Sequence, residues 1–431
     1  MKRCKLLVGL LLSNLVLLSG CALFNDDDMK YENKFNPATV TPEEEPEDPD
    51  APKAQGVTGK EVAEVPNAYC FKNVGYAVDG KIPNTYKNGG VNHLEYNIND
   101  GKDYDGTRSA NNYDLYVPNS ASKSDKHLVI LFIHGGAWVS GLKTQVNEYV
   151  HEFANKGYIT ATIKYTLLKR AMDDPTLSIF RDLDEIDACI TSIKGALEDL
   201  EFDTTKTKFA IGGVSSGAHL SMLYAYSRGQ RSALPINFVI DAVGPVNIKP
   251  DNWKKFKNST VGKEAGLTYT AITAQLANLD ELSIADVPDA PVKYWNDYQT
   301  MRIANGMCGL PFSLEQVRES TNEDEEFITN PNAASTSMLK ADGGEDQLSV
   351  TYWIDKGVNN YPIICAYAGS DSIVGIAQYA ALEHALDNAG ITKEYVYFKE
   401  CNHQEITKEK DEEHYTELIN KISEYCVNAL A

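Results

Sequence analysis

The pentapeptide Gly213-Val214-Ser215-Ser216-Gly217 follows directly on the apolar run Phe209-Ala210-Ile211. A G-x-S-x-G pattern behind a short strand and ahead of a helix predicts a sharp turn that presents its central serine as a nucleophile. Glycines two residues before and two residues after that serine let the strand and the helix pack without a clash at Cβ. The pattern is short and consists of common residues, so its weight depends on partners elsewhere in the chain.

A second glycine-rich motif lies upstream of the serine. The sequence His134-Gly135-Gly136-Ala137-Trp138 directly follows the strand-like run 128–133. A glycine-rich turn at this place, ahead of the nucleophile in the chain, is typical of the loop that binds an oxyanion.

Two polar residues follow predicted strands downstream of the serine. Asp371 lies behind the apolar run 362–367, and His403 lies in the loop behind the run 395–398. The residues Ser215, Asp371 and His403 therefore stand in the serine, acid, histidine order of the α/β-hydrolases. Four motifs in this order, each behind a predicted strand, make a much stronger signal than the pentapeptide alone.

These motifs resemble those of the hormone-sensitive-lipase-like esterase branch of the α/β-hydrolase superfamily. Within that branch they are most similar to bacterial esterases akin to the acetylxylan and feruloyl esterases. The resemblance covers roughly residues 110–245 and 355–429. It departs from the usual pattern at Ser216 and Ala218, which replace an alanine and a glycine, and in the longer interval between serine and acid.

The remaining pattern of the chain agrees with this fold. Strand-like and helix-like runs alternate, which predicts an α/β fold with a mostly parallel α/β-hydrolase sheet and helices on both faces. Ligands bind such sheets at the carboxyl ends of the strands, where all four motifs fall. The predicted strands are 113–117, 128–133, 159–165, 207–212, 238–243, 362–367 and 395–398. The predicted helices are 145–155, 178–200 and a helix from the serine turn to about 227.

The alternation fails between about 246 and 355. A segment inserted behind the strand that follows the serine helix is expected to lie over the active-site edge as a cap insertion. Its aromatic residues Tyr294, Trp295 and Tyr298 either form a wall for the substrate or pack the cap onto the helices. Residues 57–110 are ambiguous and are interpreted as an N-terminal strand and arm.

The order of the motifs predicts the catalytic roles. A serine hydroxyl needs a base within hydrogen-bond reach, and His403 is the candidate base for Ser215. Asp371 is expected to orient the imidazole and to stabilise its protonated form. Backbone N–H groups would stabilise the oxyanion, and the expected donors are those of Gly136, Ala137 and Ser216. The residues expected to shape the loops are His134, Gly135, Gly213 and Gly217.

Each role has rivals in the sequence. Ser216 is adjacent to Ser215, but only Ser215 has a glycine at both the second position before it and the second position after it. Asp241, in the strand before the insertion, is the main rival for the acid. Among the histidines, only His403 lies in a loop directly behind the last predicted strand of the chain. The other histidines are at 93, 127, 134, 151, 219, 384 and 414.

The N-terminus carries a targeting segment. Residues 1–20 combine a basic start with an apolar run too short to span a bilayer comfortably, which predicts a signal peptide. Leu18-Ser19-Gly20-Cys21 resembles a bacterial lipobox, so Cys21 is the expected lipidation site; secretion with an unmodified cysteine is the alternative. Residues 21–56 are acidic and proline-rich and are expected to form an extended tether. The hydrolase domain is then 57–431, held in the bacterial cell envelope through a membrane lipid anchor.

Composition limits the partners. The chain has 431 residues and a formal net charge of −21, which argues against nucleic acid and against anionic membrane surfaces as partners. The eight cysteines show neither a disulfide scaffold nor a zinc-binding spacing. We therefore expect neither a metal nor a cofactor.

These observations predict a serine hydrolase that cleaves carboxylic esters, with short-acyl or glycan-linked esters as the class that the resemblance implies. Two alternatives remain open. The same machinery cleaves amides, as in an arylformamidase-like or peptidase-like enzyme. A surface binding protein could also use a hydrolase scaffold without catalysis, but it would have no need for glycines packed beside a serine. Reaction with a fluorophosphonate probe distinguishes the enzymes from the binding protein.

Overall fold

The computed structural model describes residues 51–76, 81–82, 96–97, 111–138, 140–168, 179–247 and 347–431. The predicted signal peptide, Cys21 and most of the tether lie outside the described residues. The same is true of most of the predicted insertion, including Tyr294, Trp295 and Tyr298.

The strands and helices agree with the predicted alternation, with ends that shift by a few residues. The strands are β1 Lys53–Ala54, β2 Val57–Thr58, β3 Lys60–Val62, β4 Val65–Gly75, β5 Lys81–Ile82, β6 Tyr96–Asn97, β7 Asn112–Pro118, β8 His127–Ile133, β9 Ile159–Lys164, β10 Thr207–Val214, β11 Ile236–Ala242, β12 Ile363–Ala368 and β13 Lys393–Phe398. The helices are α1 Asn147–Asn155, α2 Ile179–Asp199, α3 Ser216–Arg228, α4 Val350–Lys356, α5 Ile376–Ala389 and α6 Glu412–Leu430. Single 3₁₀ turns are Lys143–Val146, Thr204–Lys206 and Gly229–Arg231.

Within the described residues, nine strands form the central sheet, in the order β13-β12-β11-β10-β8-β9-β7-β4-β3. The six strands from β13 to β9 in that order run parallel, whereas β7, β4 and β3 add an antiparallel edge. The serine strand β10 lies at the centre of the parallel part, between β8 and β11. This arrangement confirms the predicted mostly parallel α/β sheet.

Helices cover both faces of the sheet. One hydrophobic core joins the sheet to α2, α3, α4 and α5, and a second core joins the other face to α1 and α6. Strands buried on both faces read as continuous apolar runs. Strand β8 shows this, because every residue after His127 is buried.

Two predicted boundaries are corrected by the structure. The tether is predicted to extend to residue 56, but β1 pairs with β2 and Ala54 is fully buried. The Gln55 side chain and backbone N–H both donate to Asp199 Oδ2, at 2.8 Å each. Burying apolar surface and satisfying polar groups orders this segment, so the folded part begins before residue 57.

The second correction concerns the end of the insertion. The predicted insertion includes residues 350–355, yet these form most of α4. Val350, Trp353 and Ile354 are buried and recur at the spacing of one helix face, which packs α4 into the main core. No helix among the described residues is long and apolar enough to cross a membrane.

Candidate active site

Ser215 occupies a strained turn between β10 and α3. Its backbone has φ +56° and ψ −123°, a conformation that residues with a side chain rarely adopt. The Ser215 N–H donates to the Ala242 carbonyl oxygen at 2.8 Å, which ties the turn to the neighbouring strand β11. The turn therefore holds the serine at the carboxyl end of the central strand.

The two glycines of the motif are required by close backbone contacts. A Cβ at Gly213 would lie 2.5 Å from the Gly217 carbonyl carbon. A Cβ at Gly217 would overlap the carbonyl oxygens of Ile133 and His134. The start of α3 thus packs directly on β10 and on the end of β8.

The predicted serine, histidine and acid meet at this end of the sheet. His403 Nε2 lies 2.8 Å from Ser215 Oγ, and His403 Nδ1 lies 2.7 Å from Asp371 Oδ2. In this arrangement Asp371 accepts the Nδ1–H, which leaves the Nε2 lone pair to accept the serine O–H. The distances suit proton transfer from serine to histidine.

Asp371 is fixed by its own loop. Its second oxygen, Oδ1, accepts the backbone N–H groups of Ile373 at 2.7 Å and of Val374 at 2.8 Å. The Asp371 side chain is fully buried, whereas a small part of the His403 side chain is exposed. One oxygen therefore anchors the acid and the other orients the imidazole.

The rival candidates for the acid and the base form hydrogen bonds away from Ser215. Asp241 is buried, and its Oδ1 accepts the Gly244 N–H at 2.9 Å. Burial raises the pKa of this carboxyl group to about 7. The described rival histidines have partners outside the serine turn, whereas His93 lies outside the described residues. These partners are Ser122 O for His127, Tyr116 for His151, Leu348 O for His219, Asn388 for His384 and Asp411 for His414.

The predicted oxyanion loop lies against the serine turn. A Cβ at Gly135 would lie 2.9 Å from the Val214 carbonyl oxygen and 3.1 Å from Ser215 Cβ. Gly136 and Ala137 both have positive φ, +120° and +51°, so the loop is held in an unusual backbone conformation. Ser216 is the first residue of α3, and the first N–H groups of a helix have no partner within it.

His134 supports this loop and lies away from the base position. Its Nδ1 donates to the Gly135 carbonyl oxygen at 2.7 Å, and its ring stacks on Tyr165 with centroids 4.4 Å apart. The Tyr165 hydroxyl donates to the His134 carbonyl oxygen at 3.2 Å. Burial lowers the pKa of His134 to about 4, so its imidazole is neutral at neutral pH. No local pattern around Tyr165 indicates this contact.

A buried network holds the neighbouring segment in place. Glu185 accepts from the Thr166 N–H at 2.7 Å and the Thr166 hydroxyl at 2.6 Å, and the Arg181 Nε lies 2.9 Å from it. Two residues further along, the Leu168 N–H donates to the Trp138 carbonyl oxygen at 2.8 Å. Helix α2 thus stabilises the end of the oxyanion loop, a role the sequence did not reveal.

In the described part of the chain, no group of three or more histidine, cysteine, aspartate or glutamate side chains is placed to bind a metal ion. The described cysteines, Cys70, Cys189, Cys365, Cys401 and Cys426, are buried and free.

The sheet order and the strained serine turn between β10 and α3 define an α/β-hydrolase fold. Residues 113–284 match the BD-FAE family model, which covers less than half of the chain but includes the oxyanion loop and Ser215. The matched segment contains both motifs, 134–138 and 213–217, from which the resemblance to the esterases is inferred.

A curated relative is the non-reducing polyketide synthase adrD of Penicillium roqueforti, 25% identical over 186 residues. That match covers 40% of this chain and 7% of the synthase, so the chain spans only a small part of this relative's length. The similarity between the two proteins is confined to this aligned stretch of 186 residues.

Several solved structures of esterases are similar to this chain. Esterase 2 of Thermogutta terrifontis with bound butyrate is 15% identical, covering 76% of this chain and 92% of that chain at a TM-score of 0.45. Esterase B of Lactobacillus rhamnosis HN001 is 16% identical, with 74% and 81% covered and a TM-score of 0.44. A truncated carbohydrate esterase from gut microbiota is 16% identical, with 86% and 100% covered and a TM-score of 0.46.

Proposed function

We propose that the protein is a serine esterase that hydrolyses carboxylic esters through an acyl-enzyme. The observation that carries the proposal is the pair of short contacts from His403, one to Ser215 Oγ at 2.8 Å and one to Asp371 Oδ2 at 2.7 Å. A serine that is only structural has no need for a strained turn and an oriented base.

Acylation begins when Ser215 Oγ attacks the ester carbonyl carbon while His403 Nε2 takes the hydroxyl proton. The imidazolium is stabilised by Asp371. The tetrahedral intermediate collapses as the C–O bond to the alcohol breaks, and His403 returns its proton to the leaving alkoxide oxygen. The acyl group remains on Ser215 as an ester.

Deacylation repeats these steps with water. His403 removes a proton from the water as the water oxygen attacks the acyl carbon, and the proton then passes to Ser215 Oγ as the acid leaves. In both halves the carbonyl oxygen gains negative charge. The proposed donors to it are the backbone N–H groups of Gly136, Ala137 and Ser216, in the roles predicted from the sequence.

The proposed substrates are esters of short acyl groups, free or linked to a glycan. Support comes from the similarity of the motifs at 134–138 and 213–217 to the acetylxylan and feruloyl esterases. The negative net charge of the chain also favours neutral substrates over polyanions.

A matched panel tests the reaction class. The purified protein is assayed on 4-nitrophenyl acetate, on 4-nitroacetanilide, and on acetylated and feruloylated xylan. Hydrolysis of the esters with the anilide turned over at least a hundredfold more slowly supports the proposal. Faster turnover of the anilide would favour an amidase, and no turnover of any substrate would favour a binding protein.

We further propose that Cys21 is lipidated and anchors the protein in the bacterial envelope through an extended acidic segment. A single acyl chain binds membranes only marginally, whereas two or three chains anchor stably. Cys21→Ala is expected to move the protein from the membrane fraction to the soluble fraction. A Cys21→Ala protein that still sediments with membranes would contradict the anchor.

A further inference from the structure

Three tyrosines form a stack at the edge of the central sheet, next to the carboxyl end of its last strand. The rings of Tyr379 on α5 and Tyr395 on β13 lie 3.8 Å apart at 9° to each other. Tyr395 in turn stacks on Tyr397 with centroids 6.1 Å apart at 24°. We call these three residues the tyrosine ladder.

The ladder runs from the interior to the surface. Tyr379 is 7% exposed, whereas Tyr397 is 39% exposed and is one of the few large hydrophobic side chains at the surface of the described residues. Ile376, one helical turn before Tyr379, is 44% exposed on the same side of α5. The outermost ring therefore presents an aromatic surface backed by two further rings.

The inner part of the ladder is held rigidly. The Tyr379 hydroxyl donates to Glu383 Oε1 at 3.0 Å, and Lys393 forms ion pairs with Glu383 and Asp387. On the same strand, Glu394 pairs with Lys421 at 2.8 Å. The two lysines of these ion pairs face three carboxylates. The surroundings of the ladder are therefore net negative and disfavour an anionic ligand.

The outer ring is adjacent to the loop that carries the acid. A Cβ at Gly369 would lie 2.5 Å from the Tyr397 hydroxyl oxygen, and the Gly369 N–H donates to the Phe398 carbonyl oxygen at 2.9 Å. Two residues after Gly369 comes Asp371, and the strand of Tyr397 leads into the loop of His403. The ladder thus lies at the same end of the sheet as the catalytic residues, displaced toward the edge.

We propose that the tyrosine ladder is a subsite for a sugar ring of a neutral polysaccharide, with Tyr397 as the stacking surface. The face of an aromatic ring carries partial negative charge and attracts polarised C–H groups, while the phenol hydroxyl can bond to sugar hydroxyls. Because the ladder lies beside the catalytic centre and not within it, it would bind a sugar of the substrate that is remote from the ester bond. The proposal deepens the proposed esterase function and rests on it for the role of the sugar.

Binding of an unesterified oligosaccharide tests the subsite without requiring hydrolysis. Xylohexaose and cellohexaose are titrated calorimetrically into the full-length Ser215→Ala protein. In this background Tyr397→Ala is expected to weaken binding about fivefold or more, whereas Tyr397→Phe, which keeps the ring, should bind within about twofold. Val427→Ala, at a 61% exposed position on α6, is the matched control and should bind as the parent does.

A second measurement keeps Tyr397 in place, so that its result does not depend on whether the alanine variant folds. Tetranitromethane nitrates accessible tyrosines, and peptide mapping should show slower nitration of Tyr397 when the bound hexasaccharide is present. Failure of both sugars to bind, equal affinity in Tyr397→Ala, or unchanged nitration of Tyr397 would each overturn the subsite. Sugar binding by a protein that hydrolyses no ester would instead refute the esterase function while retaining the subsite.

Discussion

Gly217 and the carbonyl oxygen of Ile133 lie so close that no Cβ fits between them. The first turn of α3 therefore touches the end of β8 backbone to backbone, directly beside Ser215. The same end of β8 begins the oxyanion loop. A single close contact thus fixes both the angle of the serine turn and the start of the loop that is proposed to stabilise the oxyanion.

The first prediction follows from this contact. Gly217→Ala should destabilise the protein by roughly 1–3 kcal/mol because the new methyl group forces the helix away from the strand, and kcat should fall as the turn shifts. Thermal unfolding and ester turnover measure the two effects. Gly75→Ala is the control, because no atom lies within 4 Å of a Cβ there. Equal stability of the two variants would show that the turn has room for a side chain.

The second prediction separates the two candidate acids. Asp371→Asn replaces the acceptor of the His403 Nδ1–H and should lower kcat by roughly 10²–10⁴ through loss of the correct tautomer. Asp241→Asn should change kcat at neutral pH by less than about threefold, because Asp241 bonds to Gly244. Steady-state kinetics on one nitrophenyl ester measure both. A larger loss of kcat in Asp241→Asn than in Asp371→Asn would show that Asp241, and not Asp371, is the acid.

The third prediction concerns the pH dependence of stability. The pKa of Asp241 is raised to about 7 in the folded protein by burial, against about 3.9 for an unfolded chain. Between these values the folded state holds the proton that the unfolded state has lost. The Asp241 contribution therefore makes the free energy of unfolding fall as the pH rises from about 4 to about 7, by on the order of 4 kcal/mol.

Asp241→Asn removes this titration. The difference in free energy of unfolding between variant and wild type should increase steadily across that pH range in favour of the variant. Urea unfolding at several pH values measures it. A difference independent of pH would mean that the carboxyl group is not perturbed in the folded state.

The residues of the proposed triad could be located from the sequence because each one has a local signal. Ser215 has its glycines, Asp371 and His403 follow apolar strands, and the strand order brings these strand ends together. The supports of the oxyanion loop have no such signal. Tyr165 contacts His134 across 31 residues, and partners so distant in sequence are defined only by the sheet. The acidic residues of α2 would ordinarily lie at the surface, yet Glu185 is fully buried because Thr166 and Arg181 satisfy it.

The boundary at residue 56 shows the same limit. The composition of the segment before it indicates an extended tether, and its polar residues provide no reason to expect pairing. The burial of Ala54 and the hydrogen bond from Gln55 to Asp199 both depend on where α2 lies. A local sequence pattern carries no information about that position.

Covalent labelling of Ser215 tests the central claim most directly. The wild type, Ser215→Ala and Ser216→Ala are treated with a fluorophosphonate, and the labelled peptide is identified by mass spectrometry. The wild type and Ser216→Ala should be labelled at Ser215, since alanine at 216 keeps the backbone N–H, and Ser215→Ala should not be labelled. Ester turnover by Ser215→Ala should fall by several orders of magnitude, with roughly 10³–10⁴ over the uncatalysed rate retained. Labelling and full turnover in Ser215→Ala would contradict the serine mechanism.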